Sequence, residues 1–99
     1  NFYCAMAYPG SKLYDMAIAN GWDLPNSWIG YSQHSYECMP LRTEALTSAE
    51  VLKFRDEAFI KYFTNEKYLN FVNEKFGAHV VDHLNNMTKI KLKRKILGD

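Results

Sequence analysis

Two histidines, His79 and His83, have a spacing that could bring two metal ligands together. Four positions apart on a helix, their rings point to the same side, and Asp82 lies beside them. The zinc-protease version of this pattern has Glu directly after the first histidine, where this chain has Val80. No third ligand stands at a characteristic distance. We therefore interpret the pair as histidines flanking a packed helix face, and we predict no metal site.

Residues 89–95 include five basic residues, a dense cluster in a chain whose formal net charge is only +1. Such a cluster could contact phosphates, and the interleaved Ile90 and Leu92 could instead pack on a partner protein. Because the rest of the chain is not basic, we predict a solvated amphipathic tail and no nucleic-acid binding.

A long connection at residues 22–46 contains the groups best suited to a small ligand. It has no sustained helical or strand period, and such a stretch is usually functional or laid over a surface. Flat apolar rings with a few polar atoms suit a ligand, but packing against a neighbouring domain explains most buried aromatics, and we favour packing. Its aromatic and hydrogen-bonding residues are Trp22, Trp28, Tyr31, Gln33, His34 and Tyr36. The sequence has no phosphate-binding glycine loop, nucleophile elbow or carboxylate pair.

The element that precedes this connection is an apolar run at residues 2–8. Both of its alternating faces are apolar, which is typical of a strand in a parallel sheet that is covered on both sides. No second run of this quality could pair with it, so its backbone would lack partners within this chain. We therefore expect its sheet to lie upstream, in a larger protein.

Turn and cap signals follow the strand. Pro9 and Gly10 break it, Ser11 is a good N-cap for a helix to about Asn20, and Gly21 is placed to end that helix. Strand, turn and helix form one β-α unit, whose ligand-binding end lies where the strand ends. Residues 6–11 would then lie near the mouth of a site.

Three further helices are predicted after the connection. Thr47 and Glu50 form a capping box for a helix to about Phe63. Thr64 or Asn65 caps a third helix, which Gly77 ends, and a fourth runs from about residue 78 through residue 97. Strand is the alternative for residues 89–93, where basic and apolar side chains alternate. The predicted fold class is mainly α, with one N-terminal strand, about four helices and the long aromatic connection.

Length and composition set the remaining limits. With 99 residues and 47% hydrophobic residues, the chain can form one modest core. Cys4 and Cys38 match no C-x-x-C motif, and two reduced cysteines are favoured over a disulfide. There is neither a stretch of about 20 apolar residues nor a signal peptide, so we predict no membrane span and a cytoplasmic location.

Three stretches of the sequence resemble a known family. Residues 1–14, with the turn Pro9-Gly10-Ser11-Lys12-Leu13-Tyr14, residues 28–36, with Tyr31-Ser32-Gln33-His34, and residues 87–95 look like the C-terminal end of radical S-adenosylmethionine proteins of the cobalamin-binding group. Within that group they resemble the anaerobic magnesium-protoporphyrin monomethyl ester oxidative cyclase type. The likeness covers nearly the whole chain. The turn recurs across radical enzymes, whereas the Tyr-Ser-Gln-His segment occurs in a smaller group of them.

The resemblance implies a parent enzyme with a cobalamin domain, a partial β/α barrel and a C-x-x-x-C-x-x-C loop for a four-iron, four-sulfur cluster that cleaves S-adenosylmethionine. Neither Cys4 nor Cys38 matches that loop, so the chain itself is expected to bind no cofactor. Residues 1–21 would be the last β-α unit of the barrel, and residues 22–99 a helical extension. Within the parent we expect Tyr8, Gln33 and His34 to face the substrate.

The resulting functional prediction is a barrel-closing and lid segment of an oxidoreductase or methyltransferase, inactive in isolation. Its expected partners are the upstream barrel and cobalamin domain, and the isolated piece would either self-associate through residues 2–8 or abandon strand geometry there. The alternative is an autonomous helical interaction module that uses the basic tail.

Overall fold

Four helices account for most of the regular structure. The computed structural model describes residues 1–99, and its helices are α1 (Lys12–Ala19), α2 (Ser48–Phe63), α3 (Glu66–Phe76) and α4 (Ala78–Thr88). Two short 3-10 turns, Trp28–Tyr31 and Lys95–Leu97, interrupt the connection and the tail. The prediction of a mainly helical chain with about four helices is confirmed.

The helix ends follow the local sequence signals. The Ser11 hydroxyl accepts the Tyr14 N–H, and Thr47 and Glu50 make both bonds of the predicted capping box. Asn65, the second of the two cap candidates, accepts the Tyr68 N–H at the start of α3. Each of these bonds satisfies an amide that a helix leaves free in its first turn.

Glycines end two helices as predicted. Gly21 follows α1 with φ of 67°, and Gly77 separates α3 from α4 with φ of 94°. Side chains with a Cβ rarely adopt such backbone angles, so glycine is the residue that allows the chain to turn there.

The predicted N-terminal strand is absent, since residues 2–8 are extended but belong to no sheet. The backbone groups of Phe2 and Cys4 bind side chains instead, and the Ala5 carbonyl accepts the Leu41 N–H at 3.0 Å. The side-chain amide of Gln33 accepts the Cys4 N–H at 2.9 Å and donates to the Cys4 carbonyl at 2.8 Å. Arg55 Nε donates to the Phe2 carbonyl at 2.8 Å. The physical reason is the one that the sequence indicated: no second strand exists in this chain to complete a ladder.

The predicted extension of the fourth helix to residue 97 is wrong, and so is the alternative of a strand at residues 89–93. Helix α4 ends at Thr88, and the following residues are irregular up to the turn Lys95–Leu97. Arg94 explains the departure, because its side chain is fully buried and bonded to Asp56 of α2. A continuous helix would not bring the residue to that partner.

The core is small and divided into two clusters. The first joins the extended segment to the connection and α2 through Cys4, Met6, Cys38 and Leu52. The second packs Ala7 and Ala17 against Leu41. The face with Cys4 and Met6 is buried, whereas on the other face Tyr3 is 63% exposed and Ala7 is buried in the second cluster.

The molecule is more extended than a compact monomer of its size. Its radius of gyration is 16.4 Å, against about 13 Å for a typical domain of this length. Its accessible surface is 7069 Å², against about 5800 Å² expected for a compact 11.5 kDa protein. The excess is comparable to the area that one protein buries in a large interface.

Candidate functional site

The densest set of polar contacts joins α2 to the C-terminal tail. Arg94 donates from Nε to Asp56 Oδ2 and from Nη2 to Asp56 Oδ1, both at 2.9 Å. Its Nη1 donates to the Ser35 carbonyl at 2.9 Å, so the guanidinium also holds the connection. This two-pronged geometry is among the strongest arrangements of an arginine and a carboxylate.

Asp56 is shared between two guanidinium groups. Arg55 Nη1 donates at 2.9 Å to Asp56 Oδ1, the oxygen that also accepts a bond from Arg94 Nη2. Burial by itself would raise the pKa of the Asp56 carboxyl, but the hydrogen bonds and charges of Arg94 and Arg55 outweigh burial and hold the pKa below its ordinary value. Asp56 is therefore ionised at neutral pH, and the three side chains carry a net charge of one positive unit.

Arg55 connects this cluster to the extended segment and to His34. Besides its bonds to Asp56 and to the Phe2 carbonyl, its Nη2 lies 3.3 Å from His34 Nε2. The edge of the Tyr3 ring meets the His34 ring at a centroid distance of 6.4 Å. One arginine thus joins helix, connection and N-terminal segment.

A groove of about 1050 Å³ opens beside this cluster. It lies between the second half of α2 and residues 87–92, with His34, Arg55 and Asp56 among its polar lining residues. Its apolar wall is formed by Phe59, Ile60, Met87, Ile90, Leu92 and Leu97. Apolar clefts with a few convergent polar groups are the usual form of ligand sites.

The three residues predicted to face a substrate do not meet in one place. Both polar atoms of the Gln33 amide are bonded to Cys4, which makes Gln33 a brace for the extended segment. His34 lies near Tyr3, whereas Tyr8 is five residues further along, a separation of roughly 16 Å in extended chain. His34 and Tyr8 therefore belong to opposite ends of the segment.

Tyr8 forms part of an exposed aromatic cluster. Its ring lies 5.5 Å from that of Tyr31, which in turn lies 5.8 Å from Trp28. Tyr8 is 48% exposed and Trp28 is 75% exposed. Large aromatic side chains that remain this exposed are common in surfaces that contact a partner.

The two histidines of α4 are both exposed. The structure brings together no group of three His, Cys, Asp or Glu side chains that could hold a metal ion. Gly77 lies against the His79 ring, since a Cβ at Gly77 would come within 3.2 Å of His79 Nδ1.

Both cysteines are free and buried in the same core cluster. Burial raises the pKa of the Cys38 thiol to about 11 and also raises the pKa of the Cys4 thiol. A thiol that keeps its proton at neutral pH is a poor nucleophile and a poor metal ligand. These cysteines act as small apolar side chains.

Sequence reasoning missed Arg55, Asp56 and Arg94, although two of them left a signal. Arg55 lies three residues after Leu52, on the apolar side of α2. Arg94 alternates with Leu92 and Ile96, on the apolar side of the tail. A charged residue in an apolar stripe is almost never buried without a partner. The predicted solvated tail thus holds for the exposed lysines and is wrong for Arg94.

No family model matches the chain, and neither the curated proteins nor the solved structures include a significant match to it. No helix combines the length and the apolar character that crossing a membrane requires.

Proposed function

We propose that this chain is the barrel-closing C-terminal segment of a cobalamin-dependent radical S-adenosylmethionine enzyme, an oxidoreductase or methyltransferase. The sequence resemblance supports the choice of parent. In that parent, the iron–sulfur cluster, S-adenosylmethionine and cobalamin would be held upstream of residue 1. This chain would supply the last strand of the barrel and the helical cover that follows it.

The observation that carries the proposal is the unpaired backbone of the extended segment. The N–H and C=O groups of Tyr3 and Ala7 make no hydrogen bond, although Ala7 is 3% exposed, and between them the Ala5 carbonyl accepts the Leu41 N–H at 3.0 Å. Backbone polar groups at such positions are nearly always paired in folded proteins. A strand from the upstream barrel, lying beside residues 3–7 and taking the place of Leu41 at Ala5, would pair them.

The braces on the other edge fit the same arrangement. Gln33 and Arg55 bind the backbone of Cys4 and Phe2, whose polar groups point away from those of Tyr3 in extended chain. Side chains that cover one edge of a strand protect that edge from further pairing. Residues 2–8 are thus suited to the outermost position in a sheet, with one neighbour.

The proposal assigns different places to the substrate-facing candidates. Ligands bind where the strands of such barrels end, and Tyr8 is at that end of the segment. Its exposed cluster with Tyr31 and Trp28 would lie at the barrel mouth. His34, beside Tyr3, would lie toward the opposite end, and Gln33 would act by holding Cys4.

The autonomous interaction module is less well supported. Its basic tail is fixed to α2 by the buried Arg94, and the Lys95 N–H donates to the Tyr36 carbonyl at 2.9 Å. A tail bound along its own chain has fewer groups left for a partner.

The test is expression of the complete reading frame that contains this chain, purified without oxygen. We expect a C-x-x-x-C-x-x-C motif upstream, the visible absorbance of an iron–sulfur cluster, and cleavage of S-adenosylmethionine to 5′-deoxyadenosine. Tyr8→Ala should lower turnover with cluster content unchanged, whereas Lys93→Ala, a matched surface change, should leave both unchanged. A reading frame without the cysteine motif, or a Tyr8→Ala variant with wild-type turnover, would contradict the proposal.

A further inference from the structure

The groove beside α2 presents hydrogen-bond donors where His34 and Arg55 meet. A guanidinium has donors only, so the contact of Arg55 Nη2 with His34 Nε2 requires the histidine nitrogen to accept. In the neutral ring the proton then lies on Nδ1. His34 is exposed and lines the groove, and Nδ1–H is then its free donor.

Arg55 itself has donors left over. Arg55 donates three hydrogen bonds, to the Phe2 carbonyl, to Asp56 and to His34. A guanidinium has five N–H groups. Two N–H groups remain for an acceptor that enters the groove. A ligand that meets these two side chains must supply oxygen acceptors.

Positive side chains outnumber carboxylates around the groove, which favours an anion. Arg55 and Arg94 share one carboxylate, that of Asp56, which leaves one positive charge in excess. On the rim, Lys53 lies 3.9 Å from Glu57, while Lys61 and Lys91 make no ion pair. The Asp99 carboxylate also lines the groove, where its Oδ2 accepts the Arg94 N–H at 2.8 Å.

The remaining wall is apolar and unoccupied by side chains of this protein. Ile60 of α2 is 37% exposed and Ile90 of the tail is 70% exposed, and both line the groove. Burial of these side chains by an apolar ligand would be favourable in proportion to the area covered.

We propose that this groove is a binding site for a carboxylate attached to an apolar chain. The carboxylate would accept hydrogen bonds from His34 Nδ1–H and Arg55, and the chain would lie along Ile60 and Ile90. The two oxygens of a carboxylate can accept hydrogen bonds from His34 and Arg55 together. The site does not depend on the proposed barrel-closing function.

Titration of the isotope-labelled 99-residue chain with decanoate, followed by NMR, tests this site. Decanol and decylammonium, with the same chain length, are the neutral and cationic controls. We expect decanoate to shift the methyl signals of Ile60 and Ile90 and the Nδ1 signal of His34, and to bind at least about tenfold more tightly than decanol. Decylammonium should bind more weakly than decanol.

A variant pair separates the carboxylate contact from the apolar groove. His34→Leu, at an exposed position, should weaken decanoate binding by about fivefold or more and leave decanol binding unchanged. Lys93→Leu, which removes a positive charge outside the groove lining, should change neither affinity. Equal affinity for decanoate and decanol, shifts confined to another surface, or no loss in His34→Leu would overturn the proposal.

Discussion

Replacing Arg94 by Met should be among the most destabilising changes outside the apolar core. The Arg94 side chain is fully buried, and the change removes two bonds to Asp56 and one to the Ser35 carbonyl. Removing one partner of a buried ion pair costs about 3 to 5 kcal/mol. Asp56 is 24% exposed and keeps Arg55, so we expect the lower end of that range, about 3 kcal/mol.

Urea denaturation followed by far-ultraviolet circular dichroism measures this loss. For a chain of this length, a loss of 3 kcal/mol moves the midpoint down by roughly 1 to 3 M urea. The matched control is Lys95→Met, which breaks an exposed pair with Glu37 and should cost about 0.5 kcal/mol or less. If the free energy of unfolding of Arg94→Met stays within about 1 kcal/mol of the wild-type value, the ion pair with Asp56 does not hold the tail.

The same cluster gives a pH dependence with a defined sign. The pKa of Asp56 is lower in the folded chain than in the unfolded chain, so its contribution is complete above about pH 4 and declines as the pH falls below that value. Wild type should therefore lose stability in acid more steeply than Asp56→Asn. Parallel acid profiles for the two proteins would contradict this account of the cluster.

Three further changes test other parts of the fold. Gln33→Ala removes both hydrogen bonds to the Cys4 backbone and should lower the free energy of unfolding by about 1 to 3 kcal/mol in denaturant melts. A change near zero would mean that these bonds do not stabilise the fold. Thr47→Ala removes the capping box with Glu50 and should cost about 1 kcal/mol, read as a lower melting temperature, and an unchanged melting temperature would argue against the cap. Cys38, whose pKa is raised to about 11, should resist iodoacetamide at pH 8 in the folded chain and react after unfolding; rapid labelling of the folded chain would show that the thiol is not buried.

The helices could be predicted because their signals lie within a few residues. The caps at Ser11, Thr47 and Asn65 and the stops at Gly21 and Gly77 each act on the adjacent turn of backbone. Local preference and final structure agree at these points, so the sequence alone is sufficient there.

The extended segment and the tail could not be predicted in the same way. The brace on Cys4 comes from Gln33, 29 residues away, and the partner of Arg94 lies 38 residues away. Neither sequence separation produces a periodic pattern that could be seen in the sequence. Alternation at residues 2–8 predicted a strand, and that prediction is wrong because only the rest of the fold decides whether a second strand is present.

The candidate site was predicted in part. The aromatic connection was expected to contain the ligand-suited groups, and His34 does line the groove. Arg55, which binds His34 and lies at the centre of the cluster, is placed by the packing of α2 on the extended segment. A position within an apolar stripe marks such a residue as unusual, but the identity of its partner needs the three-dimensional structure.

Amide hydrogen exchange at residues 3–7 tests the central claim, pairing with a neighbouring strand, most directly. In the isolated chain, the amides of Tyr3 and Ala7 have no acceptor and should exchange readily, while the Cys4 amide, bonded to Gln33, serves as the internal reference. In the proposed parent protein, pairing with an upstream strand should slow exchange at Tyr3 and Ala7 by about two orders of magnitude or more. Equal exchange rates for these amides in the isolated chain and in the protein made from the complete reading frame would contradict the proposal.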